Sequence, residues 1–314
     1  MRKPQDQQLI GESPAFLEVL EHVSRVASLN RPVLVIGERG TGKELIAARI
    51  HYLSGRWDNP FVKMNCAALA ESLLETELFG HEAGSFTGAA KRRLGRFELA
   101  NEGSLFLDEL SSTSSGVQEK ILRVIEYGEF ERVGGSETIR TNVRIIGATN
   151  EDLPGLAEKG KFRADLLDRL AFDVITLPPL RERPGDIMTL ADHFAVKMAG
   201  ELGKDVFNGF SENARKELST YPWPGNVREL KNVVERAVYT CQDDSKAKPE
   251  SSLIPLSHHG DRVWGPPQIN RNLRNSQTSL MILKRTYRTR RSDVLKMPWN
   301  CAGLIRKRPP NFLE

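Results

Sequence analysis

Cysteine is scarce in this chain: Cys66, Cys241 and Cys301 are far apart, odd in number and without metal-ligand spacing. That excludes a disulfide framework and favours reduced thiols in a cytosol. The six histidines are scattered, and a metal site at the one adjacent pair, His258-His259, is not expected. No apolar run approaches the ~18 residues that span a bilayer. Residues 1–8 carry Arg2 and Lys3 but no apolar stretch behind them, which excludes a secretory signal. There is no internal repeat. With 39% hydrophobic and 27% charged residues, the composition excludes collagenous and wholly disordered chains and suits an ordinary soluble protein. A length of 314 residues allows two packed units and a tail.

A basic body is also lacking. The net charge of +4 resides in residues 241–314, where Lys and Arg outnumber Asp and Glu 14 to 6. Residues 1–240 carry 31 against 35, so charge gives no reason for the body to bind nucleic acid.

What is present is an alternation of short apolar strands and helices. Ser13-Pro14 starts a helix, with Phe16, Leu17, Leu20, Val23 and Val26 at helical spacing. A strand over 32–36 leads through a glycine-rich turn into a helix over 43–53. A strand over 104–107 ends in Asp108-Glu109, and one over 143–148 ends in Thr149-Asn150. This pattern predicts a three-layer α/β fold with a parallel sheet, whose ligands bind beyond the carboxyl ends of the strands. After residue 177 the pattern turns helical over 186–200 and 211–240, with Tyr221 to Gly225 as a stiff break. The expected organisation is an α/β unit over 1–176, a small helical lid over 177–240 and a basic tail over 241–314.

Gly37, Glu38, Arg39, Gly40, Thr41, Gly42 and Lys43 have the spacing of a phosphate-binding loop. Its backbone N–H groups cradle phosphates, the following helix adds its positive end, and Lys43 reaches the β and γ phosphates. Glu44 stands where a Ser or Thr usually meets magnesium. At the end of the second strand, Asp108 is the candidate for holding Mg²⁺ and Glu109 for polarising the attacking water. A ligand-free glycine turn and a solvated acidic turn are the plainer alternatives.

With these motifs in place, residues 9 to about 240 resemble the central domain of bacterial enhancer-binding proteins, the AAA+ activators of sigma-54 RNA polymerase. The resemblance is carried by residues 37–44, 65–68, 77–81, 84–89, 106–109, 162–166 and 223–230. It implies an AAA+ P-loop ATPase that forms a homo-oligomer, a hexameric ring, in the cytoplasm and hydrolyses ATP between subunits. Glu44 is common at its position in that family. The segment Gly84, Ser85, Phe86, Thr87, Gly88 and Ala89 is, by resemblance, the loop that touches the sigma factor, and Ser85 replaces the family's usual Ala. Glycines at both ends permit a tight hairpin with an exposed aromatic tip. Residues 132–136 form a second loop, expected to line the pore and support the first.

The resemblance also casts Arg163 and Arg169 as arginines reaching a neighbouring subunit's ATP. Six positions place them ~120° apart on a helix, and surface pairing with Asp165 and Asp168 is the alternative. Arg228 matches a sensor of the γ phosphate, and Thr149 and Asn150 match the sensor at the third strand. Asn65 matches a residue that pairs with the Glu109 carboxylate. The chain starts directly at this domain, and the resemblance implies control by a separate inhibitory protein. The family's helix-turn-helix for enhancer DNA is not recognisable in 241–314, so specific DNA binding is not expected. Two readings of that segment stay open: a disordered basic stretch attracting nucleic acid, or a non-native one, as an out-of-frame translation after about Tyr239 would give. An unfoldase acting on another protein and a non-hydrolysing scaffold are the alternative functions. Residues 84–89 weigh against the first, and Asp108 and Glu109 against the second.

Overall fold

The computed structural model describes residues 9–86, 89–203 and 207–240. The readings of 241–314, including His258-His259 and the basic tail, lie outside the described residues. Two compact units divide at Gly185 and Asp186.

In the first unit the elements are α1 (Pro14–Ala27), β1 (Val33–Ile36), α2 (Lys43–Tyr52), β2 (Phe61–Asn65), α3 (Glu71–Phe79), α4 (Arg96–Leu99) and β3 (Ser104–Asp108). They continue with α5 (Ser115–Tyr127), β4 (Glu129–Glu131), β5 (Thr138–Arg140), β6 (Arg144–Thr149), α6 (Leu153–Glu158), α7 (Ala164–Leu170) and β7 (Val174–Thr176). Five strands form a parallel sheet in the order β2-β3-β6-β1-β7, and β4 and β5 form a separate antiparallel pair. β2 and β7 were not foreseen: both are only partly buried, Lys63 interrupts β2 and β7 is short, so neither gives the continuous apolar run of β1 or β3.

Alternation along the strands divides the core. Leu34, Leu105, Leu107 and Ile145 face one cluster with Leu78, Phe79, Phe97, Ile121 and Leu166. Val33, Val35, Phe106 and Ile146 face the other, with Phe16, Val23, Ile46 and Ile50 of α1 and α2. Helices thus cover both faces of the sheet. Each such side chain contributes ~1.5–3 kcal/mol on burial. Leu17 is 51% exposed, contrary to its expected place on the buried stripe. It follows Phe16 directly, and ~100° of rotation carries it off the face shared by Phe16, Val19 and Val23.

The second unit contains most of α8 (Pro184–Glu201), then α9 (Glu212–Thr220) and α10 (Asn226–Thr240). The foreseen break lies between α9 and α10. Trp223 is buried there, its indole N–H donating 2.8 Å to the Leu218 carbonyl, while the Gly225 N–H donates 2.8 Å to the Glu229 carboxylate.

Candidate functional site at the carboxyl edge of the sheet

Parallel strands bring their carboxyl ends to one edge, where ligands of such sheets bind. Asn65 is in register with Asp108, and Ile36 with Thr149. The sheet order therefore sets Asn65, Asp108, Thr149 and the start of the phosphate loop side by side.

β1 runs directly into that loop. Gly42 has φ of 104°, a left-handed conformation that glycine adopts without a Cβ penalty. Lys43 opens α2 and is buried, with Nζ donating to the carbonyls of Gly37 at 2.8 Å and Glu38 at 3.2 Å. The Thr41 hydroxyl donates to the same Glu38 carbonyl at 2.8 Å. Glu44 pairs with Lys63 of β2 at 2.8 Å. The Glu38 carboxylate receives both terminal nitrogens of Arg181, at 2.7 and 2.9 Å. A groove beside the loop is lined by Val19 and His22 of α1, Gly37, Glu38, Asn150 and Leu177.

At the end of β3, the Asp108 carboxylate accepts the Glu109 N–H at 3.0 Å, and Glu109 has φ of 52°. Burial holds the Asp108 carboxyl above the usual range, with the Glu109 N–H and the Lys43 charge pulling against it. Cys66, directly after β2, is buried and unbridged. Burial pushes its thiol up to about 12, with help from the Asp108 and Glu109 charges, so it is no nucleophile. The Asn65 side-chain oxygen accepts the Ala67 N–H at 2.9 Å. Thr149 is buried, its hydroxyl accepting the Glu151 N–H at 3.0 Å and its carbonyl the Gly37 N–H at 3.2 Å.

Arg163 immediately precedes α7 and grips Asp165 at 2.7 and 3.0 Å. Arg169, near the end of α7, pairs at 2.9 Å with Glu126 of α5 and not with Asp168. Asp168 is its chain neighbour, and ~100° of helical rotation separates the two side chains. Arg228 is exposed in the first turn of α10, in the second unit.

The two loops meet. The Gly84 N–H donates 2.8 Å to the Ala89 carbonyl, and the Ala89 N–H 3.0 Å to that of Phe86. Phe86 is 44% exposed, edge-on to His81 with ring centres 5.0 Å apart. Thr87 and Gly88 lie outside the described residues. Gly134 lies in the β4–β5 hairpin, and a Cβ placed on it would stand 2.4 Å from Ser85 Cβ, so glycine is required for this approach. Beside it, buried Arg132 is clasped by Glu98 of α4 and by Glu82 at 2.8 Å. Donating to the Glu98 carboxylate raises the Arg132 pKa.

Sequence reasoning missed the ion pairs of Arg132 and Arg181. Their hydrogen-bonded partners, Glu82, Glu98 and Glu38, lie far along the chain, and a charged residue in a loop reads as solvated until the fold supplies its neighbour. Among the described residues no group of three or more His, Cys, Asp or Glu is placed to hold a metal, and no helix is long and apolar enough to cross a membrane.

Comparison with known proteins agrees with this geometry. The sigma-54 interaction domain family matches residues 9–176, and the AAA+ ATPase lid domain family matches residues 181–251. The Psp operon transcriptional activator of Escherichia coli is 65% identical over 231 residues, 74% of this chain and 71% of that protein. The Nif-specific regulatory protein of Azotobacter vinelandii is 49% identical over 83% of this chain and 50% of its own length. A crystal structure of NtrX from Brucella abortus in complex with ATP superposes with a TM-score of 0.71 at 36% identity, covering 76% of this chain and 52% of that one. The chain thus spans about half the length of the latter two. Together these findings show that the chain belongs to the sigma-54 interaction family of AAA+ ATPases, the ATP-driven part of sigma-54-dependent transcriptional activators.

Proposed function

We propose that this chain assembles into a hexameric ring in the cytoplasm, hydrolyses ATP between subunits, and uses Phe86 to remodel the closed complex of sigma-54 RNA polymerase holoenzyme at promoter DNA. The observation that carries this reading is the juxtaposition, on one sheet edge, of the phosphate loop with Asn65, Asp108 and Thr149. The groove walled by Val19, His22 and Leu177 is suited to the base of the nucleotide.

Asp108 offers a hard carboxylate oxygen close enough to the Lys43 ammonium to feel its charge, and its own charge is poorly solvated. That donor fits a divalent cation such as Mg²⁺. When bound, Mg²⁺ would offset charge on the β and γ phosphates. Lys43 exchanges its two carbonyl contacts for phosphate oxygens, and Glu109 orients and polarises the attacking water. Asn65, whose side-chain oxygen accepts the Ala67 N–H here, turns to pair with the Glu109 carboxylate and switch it between idle and active positions; Thr149 and Asn150 sense the γ phosphate, and Arg228 adds a cation from the lid. Arg163 and Arg169 leave Asp165 and Glu126 to reach the neighbouring subunit's ATP, where an arginine supplied in trans is worth ~10³–10⁵ in rate. A separate inhibitory protein regulates the ring, and specific enhancer DNA binding is not assigned to the described residues.

The test is ATP-dependent open-complex formation on a sigma-54 promoter, at protein concentrations high enough to make enhancer binding unnecessary. Opening that requires hydrolysable ATP supports the reading. Robust hydrolysis without opening would shift it to an unfoldase acting on another protein.

A further inference from the structure

The short helical turn Leu180–Glu182 follows the sheet's last strand and, with Arg183, leads directly into α8. The two arginines of this segment, Arg181 in the turn and Arg183 after it, are committed to the phosphate loop. Arg181 holds the Glu38 carboxylate through a two-nitrogen fork at 2.7 and 2.9 Å. Arg183 is buried, donates 3.3 Å to the Thr41 carbonyl and lies over the Phe16 ring at 5.0 Å. Their partners sit on opposite arms of the loop. Inside it, Glu38 is also the residue whose carbonyl accepts from both Lys43 and Thr41. Any movement of Lys43 towards phosphate removes one of those bonds and loosens Glu38. The carboxylate then depends more heavily on Arg181.

We propose that Arg181 is a positioning residue for the nucleotide. Acting through Glu38, and with Arg183 on Thr41, it holds both arms of the phosphate loop in their binding shape and ties that shape to the segment opening α8. This deepens the ATPase reading and rests on it. The role differs from that of an incidental surface pair because the fork fixes direction as well as charge, and because the second arginine holds the same loop from a buried position. Arg181 also lines the groove assigned to the base, but in this role it acts through Glu38 and touches no reacting atom.

The experiment is a double-mutant cycle on the full chain with Arg181→Ala, Glu38→Ala and the double variant. ATP KM and kcat are measured, together with amide exchange over residues 180–185 with and without ATPγS. Each single variant is expected to raise KM about threefold to fivefold, the upper end for an exposed bidentate pair, with kcat changing less than KM. The double variant should be no worse than either single one. ATPγS should slow exchange over 180–185 in the parent chain and lose that effect in Arg181→Ala. Multiplying KM effects, or nucleotide-dependent protection that survives Arg181→Ala, would overturn the proposal while leaving the ATPase reading intact. A parent chain that neither binds nor hydrolyses ATP would overturn both.

Discussion

Ser85 provides the sharpest test of how the two loops are held. Its Cβ packs on Gly134, while its hydroxyl oxygen is buried and has no hydrogen-bond partner. A buried hydroxyl without a partner costs ~1–3 kcal/mol. The penalty belongs to the docked loop, because an undocked serine is hydrated. Ser85→Ala removes the oxygen and keeps the Cβ contact. Since residue 85 is itself only half-buried, the lower end of the range applies, and the docked loop should gain about 1 kcal/mol, roughly fivefold in its opening equilibrium. The global midpoint should hardly move, because this segment opens locally and not with the core.

Amide exchange at Ser85 and Ala89 reads that equilibrium. Their N–H groups donate within the loop, to the Glu82 and Phe86 carbonyls at 3.3 and 3.0 Å. Both amides should exchange about fivefold more slowly in Ser85→Ala. Unchanged or faster exchange would refute the reasoning and show that the serine hydroxyl is satisfied in the docked state. The consequence for function follows from the sign. Any engagement that draws Ser85 away from Gly134 costs less with serine than with the alanine usual in the family.

Three further outcomes are expected. Glu109→Gln should keep ATP affinity but lose ~10²–10⁴ in turnover, and unchanged turnover in a steady-state phosphate-release assay would remove Glu109 as the base. Arg144 is buried and donates to the carbonyls of Val26, Ala27 and Arg31 at 2.8–3.0 Å, so Arg144→Leu should destabilise by about 3–5 kcal/mol in denaturant melts; a loss under 1 kcal/mol would mean those carbonyls find water. Asp108→Asn should abolish hydrolysis and raise the thermal midpoint at neutral pH. Burial lifts the native Asp108 pKa above its unfolded value, so its destabilising effect is absent below the unfolded pKa and complete above the native one. The advantage of Asn should therefore shrink as pH falls through the carboxylate range, and a widening gap would contradict it.

The parts of the site legible in the sequence are those made by short-range chemistry. Gly42 is left-handed and Lys43 opens α2, a local geometry that their spacing suggests without any distant partner. Asp108 and Glu109 stand out because an apolar strand stops at them. Strand order was not legible, since β6 enters between β3 and β1 from 36 residues beyond β3, and only that insertion sets Thr149 against the phosphate loop. Nor was the fate of the arginines. Arg132, Arg144, Arg181 and Arg183 look alike as letters, yet one joins two loops, one caps α1 and two hold the nucleotide loop. A guanidinium carries five donors in a fixed fork, so the acceptors around it determine what it does. Those acceptors lie 34 to 143 residues away in sequence. Local pattern can therefore mark out a candidate phosphate loop, but the arginines that grip it become visible only when the fold closes.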